Sequence, residues 1–137
     1  MATVYSGEEA GQDGASQWNR LRIRCEYSGT SATLYVEFKR TSSRYDTWRD
    51  SGATLTFNGA TKSAPYDYTG TVGSSWVQIA GASGFSVSTG GGTYEWRYNI
   101  GVPGAVLYCH GSITIPAQHS TPTGVTDSVA SEMSYET

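Results

Sequence analysis

Residues 19–27, NRLRIRCEY, alternate without a break: Arg20, Arg22 and Arg24 fall on one phase, and Leu21, Ile23, Cys25 and Tyr27 on the other. A period of two is that of a β-strand with one buried and one wet face. Residues 32–40 repeat the pattern with Leu34, Val36 and Phe38 on the apolar phase. Between the two runs, glycine in a two-residue turn at Gly29-Thr30 predicts type II′. That turn sets a register in which Cys25 faces Leu34, Ile23 faces Val36 and Leu21 faces Phe38, every pair apolar. On the wet side Arg22 then meets Glu37 as an ion pair and Arg24 meets the Tyr35 ring as a cation–aromatic pair. Arg20 is left beside Lys39 and Arg40, a cluster of like charge.

The same reading continues along the chain. ATLTFNGATK (53–62) alternates Ala53, Leu55 and Phe57 with threonines and ends in Asn58-Gly59, a strong hairpin signal. Its return strand places Lys62 opposite Leu55 and stops before Pro65, which predicts an edge. SSWVQIAG (74–81) and FSVS (85–88) read as two strands, and TGGGT (89–93) as a flexible connection. TYEWRYNI sets Tyr94, Trp96, Tyr98 and Ile100 against Glu95, Arg97 and Asn99. AVLYCHGSITI lines Leu107, Cys109, Ile113 and Ile115 on one side, with Gly111 where a bulge or a close backbone approach is expected. Segments 41–52 and 64–70 read as polar loops. No window shows a capped, 3.6-periodic run. Seven to nine short strands at about ten-residue spacing predict an all-β, antiparallel β-sandwich. Immunoglobulin-like and jelly-roll topologies both fit.

Composition and charge refine this. A chain of 137 residues is one domain's worth, and large enough to fold without staples. The expected division is an N-terminal arm at 1–16, a sandwich at 17–115 and a C-terminal arm at 116–137. Between residues 14 and 115 there are nine basic and six acidic side chains, whereas the two ends carry six acidic groups and no basic one. An overall charge of −3 disfavours phosphate-driven nucleic-acid binding. No apolar run has the length of a membrane span, and the opening MATVYSGEEAGQDG has neither a basic nor an apolar region of a secretion signal, so a cytoplasmic start is expected. Cys25 and Cys109 both fall on apolar phases, and two buried reduced thiols are expected.

Catalytic chemistry finds little footing. His110 is out of phase with Cys109, so its ring points away from that thiol, and His119 lies in the C-terminal arm. Asp46, Asp50, Asp67 and Glu95 are the body carboxylates outside the first hairpin, and all but Glu95 fall in turn-rich loops. No metal-ligand spacing and no phosphate-binding loop occurs, so no cofactor is expected. Tyr45, Trp48, Tyr66 and Tyr68 stand out as aromatics in polar connections: they serve either as lids on the end of the sandwich or as a partner or glycan surface. The ends bury too little to order alone. They are therefore expected to rest on neighbouring subunits, with Glu132 and Glu136 among the acidic contacts and Arg20, Lys39 and Arg40 among the basic ones.

NRLRIRCEYSGTSATLYVEFKR, the TLTFNGAT turn and the exit GSITIPAQHSTPTGV resemble the small β-sandwich domains of tailed-bacteriophage virion proteins. The likeness covers about residues 17–125. It implies a non-enzymatic structural protein, made in the host cytoplasm and residing in the virion as a capsid-decoration or tail-accessory part. The partners implied are further copies and other virion proteins. A carbohydrate-binding host-adhesion module is the alternative.

Overall fold

The computed structural model describes residues 1–12, 18–41, 48–50, 52–68, 72–99 and 108–118, with 48–50, 67 and 68 described by backbone alone. Two antiparallel sheets pack face to face as a β-sandwich, and the described residues include no helix. The first sheet is built on β3 (Asn19–Ser28) and β4 (Ser31–Arg40), with β9 (Val77–Ser86) beyond β4; β1 (Ala2–Tyr5) and β2 (Glu9–Ala10) both pair with β3. The second runs β11 (Tyr108–Ile115), β10 (Gly92–Asn99), β6 (Thr54–Phe57), β7 (Ala60–Ser63). A small ribbon joins β5 (Trp48–Asp50) to β8 (Tyr66–Tyr68).

The β3–β4 register is the one that the alternation dictates: Arg22 opposite Glu37, Arg24 opposite Tyr35, Cys25 opposite Leu34. Gly29 has φ of 60° and Thr30 is not in the left-handed region, as a type II′ turn requires. At the β6–β7 turn Asn58 and Gly59 both take positive φ, 51° and 81°, the mark of type I′. Lys62 does lie opposite Leu55 on an edge strand. Its ammonium reaches over the Phe85 ring of the other sheet, 5.5 Å from the centroid.

Leu21, Ile23, Leu34, Val36 and Phe38 from the first sheet meet Leu55, Phe57, Trp96, Tyr98 and Ile113 from the second, all essentially out of water. Each such side chain contributes about 1.5–3 kcal/mol of transfer free energy. Phe57 and Phe85 cross between the sheets as a T-shaped pair with centroids 5.5 Å apart. The buried Tyr98 hydroxyl donates to the Ala64 carbonyl at 3.0 Å.

Several expectations are corrected. The two strands read at 74–81 and 85–88 are one strand, β9, with register shifts against β4 that absorb extra residues near Ser83 and Ile79. TGGGT is not loose: at Gly91, φ is 80° and an added Cβ would lie 2.6 Å from the Ala117 amide nitrogen, so backbone fills that space. The segments 41–52 and 64–70 contribute β5 and β8. Residues 1–12 are no arm. They form β1 and β2 on the molecule's own β3, with Val4 against the core, because β3 offered a free edge to any nearby chain.

Candidate functional site

The outward face of the first sheet gathers most of the charged side chains among the described residues. β3 alternates its arginines outward, β4 supplies Tyr35, Glu37 and Lys39 opposite them, and Trp76 enters just before β9. Glu37, only 6% exposed, is the hub. Its carboxylate accepts from Arg22 Nε at 2.6 Å and from an Arg24 terminal nitrogen at 2.8 Å. The other Arg24 terminal nitrogen donates to Gln78 Oε1 at 2.7 Å. The Arg22 guanidinium lies 4.4 Å from the Tyr5 ring centroid and 4.4 Å from that of Trp76, so it is held between the two. Lys39 shares Trp76 at 4.7 Å, and Arg24 covers Tyr35 at 4.4 Å. Tyr35 in turn fills the space over Gly81, where a Cβ would meet its ring at 2.9 Å. A charge clamped between flat rings and a carboxylate has lost most of its freedom to recruit a partner.

The residual cluster at Arg20 and Lys39 is answered within the chain. Glu8 lies 3.0 Å from the Lys39 ammonium and 3.8 Å from Arg20 Nε. The contact between acidic end and basic face that was expected across subunits is thus made, for Glu8, by the molecule on itself. Arg40 is a further correction: it is 4% exposed and faces Asn19, so it is a buried residue of the sheet rather than a surface contact. For Tyr66, of the two roles expected, the lid holds and the partner or glycan surface does not. Pairing of β8 with β5 turns it inward, where it is 1% exposed and meets Phe38 edge-on with centroids 6.4 Å apart. It closes the end of the sandwich. Trp48 and Tyr68 sit opposite each other on the β5–β8 ribbon. Tyr45, Glu132 and Glu136 lie outside the described residues.

Residues 9–12 stitch the sheets together along one seam. Gln12 N–H donates to the Tyr108 carbonyl at 3.0 Å, and its Oε1 accepts from His110 N–H at 2.8 Å. The Cys109 thiol donates to the Ala10 carbonyl at 3.2 Å. Glu9 occupies the room left by Gly111, whose Cβ would lie 3.0 Å from its carboxylate. Gly111 is thus neither a bulge nor a close backbone approach: it makes room for the Glu9 side chain. Both cysteines are free and buried. Burial, with Glu26 adding to it, pushes the Cys25 thiol up to about 11; burial, with Glu9 adding to it, pushes Cys109 up to about 12. His110 is exposed while Cys109 faces inward, so the two do not form a nucleophile–base pair.

The exit from β11 is pinned as well. Gln118 Oε1 accepts from Gly29 N–H at 3.0 Å while its Nε2 donates to the Gly29 carbonyl at 2.7 Å, and its own amide reaches the Thr89 carbonyl. Gln118 is thus fixed beside the β3–β4 turn. Tyr5, Glu8 and Trp76 are the residues of the charged face that alternation missed. Only non-local pairing brings them there, although an aromatic just before a strand and an acidic pair in an apolar-poor segment were visible. No family model, curated protein or solved structure matches the chain.

Proposed function

We propose that this chain is a non-enzymatic structural protein of a bacteriophage virion, a decoration or accessory piece set in its assembly through a strand edge and through the acidic segment after Gln118. The virion part of the reading draws on the strand, turn and exit sequences described above. The observation that carries the assembly part is the difference between the two seams of the sandwich. One is closed by residues 9–12, which bond to both β3 and β11. Along the other, no backbone hydrogen bond among the described residues joins β9 to β7, although β9 is ten residues long. Lys62 blunts β7 and also covers β9 at Gly84 and Phe85, which leaves the β9 residues before Gly84 as the edge open to strand addition.

The pinned exit supports the same reading. Gln118 is held beside the β3–β4 turn, so the acidic segment that follows it in sequence starts from a defined point. The test is recovery of this chain from density-banded particles of the phage that encodes it. Ser83, exposed at the β9 bulge, is the place to block the edge without breaking the β4 ladder. Stoichiometric recovery of the wild type and depletion of Ser83→Pro is the expected result. Abundance in the lysate with absence from particles would overturn the reading.

A further inference from the structure

The outer face of the second sheet treats its charges differently. A groove of about 580 Å³ runs over it, bordered by Glu9, Thr56, Glu95, Arg97, His110 and Ser112. That size is within the range of small-molecule sites, about 300–1,000 Å³. Pairing places Thr56, Arg97 and His110 in one row across three strands, with Glu95 and Ser112 as the adjacent pair. The Thr56 hydroxyl is hydrogen-bonded to Thr61 at 2.8 Å, which extends the row to β7. The Tyr108 ring stands edge-on to His110 with centroids 6.0 Å apart. On the first sheet every outward guanidinium of β3 has a carboxylate within reach; here neither Arg97, Glu95 nor Glu9 makes an ion pair among the described residues.

The chemistry of that lining selects its occupant. Two carboxylates against one guanidinium and an imidazole repel an anion, while Arg97 and His110 oppose a cation. Among the described residues no group of three His, Cys, Asp or Glu side chains is placed to hold a metal ion. Acceptors and donors are instead interleaved at the strand spacing of about 4.8 Å, close to the width of a pyranose ring. A sugar hydroxyl donates and accepts at once, so it needs both kinds of group side by side. We infer that this groove binds a neutral oligosaccharide, with Arg97 as the central donor and Glu9 and Glu95 as acceptors. The site is independent of the β9 edge and stands or falls separately from the assembly reading.

The test is a heteronuclear NMR titration of the full chain with chitohexaose, cellohexaose and mannohexaose, and with hexagalacturonate as the acidic counterpart. Expected are shifts at the Thr56, Arg97 and His110 amides with at least one neutral sugar at or below about 10 mM. Arg97→Ala, at an exposed position, is expected to weaken binding roughly tenfold to a hundredfold while leaving the rest of the spectrum in place. Lys62→Ala, outside the groove, leaves binding unchanged. Absence of shifts with all three neutral sugars, preference for hexagalacturonate, or full binding by Arg97→Ala would each overturn the inference.

Discussion

Glu8 holds Lys39 at 3.0 Å from a segment whose apolar side chains, Val4 apart, lie mostly outside the core. That contact, with the Tyr5 ring against Arg22, attaches residues 1–12 through polar and cation–aromatic bonds where apolar burial is scarce. Glu37 does a different job on the same face, since it is buried and accepts from two guanidinium groups.

Glu37→Ala should therefore cost about 2–4 kcal/mol, because two half-buried guanidinium groups lose their acceptor together. Glu8→Ala should cost less than about 1 kcal/mol, and that small difference should vanish in high salt. Urea unfolding of the two variants at low and high ionic strength checks both. A larger loss for Glu8 than for Glu37 would contradict this account of the face.

Two glycines should respond unequally to alanine. At Gly111 the neighbour is the end of the flexible Glu9 side chain, 3.0 Å from the added carbon, so Gly111→Ala is expected within about 1 kcal/mol of wild type. At Gly91 the neighbours are backbone atoms of Ile115, Pro116 and Ala117, and φ is 80°. Gly91→Ala is expected to lose more than about 2 kcal/mol. Thermal unfolding of the pair decides the matter.

Both thiols ionise later in the folded chain than their ordinary value of 9.0, at about 11 for Cys25 and about 12 for Cys109. Below pH 9.0 their contribution to stability is intact. As pH rises from there toward 11 to 12, the unfolded chain gains by losing thiol protons first, and stability falls. Urea midpoints measured across this range should fall more steeply for wild type than for a Cys25→Ala/Cys109→Ala chain. At about pH 8 neither native thiol should react with a disulfide reagent before unfolding.

Gln118→Ala removes the two side-chain bonds to Gly29. Hydrogen exchange at the Gly29 amide should accelerate severalfold, while exchange at Ile23 and Val36, deep in the sheet, stays as in wild type. Unchanged exchange at Gly29 would show that the exit is held by other means.

The β3–β4 hairpin was fully legible before folding, from Gly29-Thr30 through the Arg22–Glu37 and Arg24–Tyr35 pairs, because a two-residue turn fixes register and alternation fixes the face. Asn58-Gly59 and the edge position of Lys62 were legible on the same grounds. Residues 1–12 were not, since four- and two-residue strands have too few positions to show a period. The strand that carries Tyr66 was not legible, because three residues after a proline show too few positions for a period.

What the amino-acid order determined by itself was the local part: strand faces, turn types, an all-β sandwich, and thiols that point inward. Only the tertiary structure decided which residues from distant segments share a surface. Trp76 meets Arg22 and Lys39, Glu8 meets Lys39, and Glu9 lies beneath Gly111 because the chain returns there after long intervals. Periodicity reports the environment of a residue along its own strand. The partner across the sheet or the seam is chosen by packing and hydrogen bonding between segments, and no single stretch of sequence carries that choice.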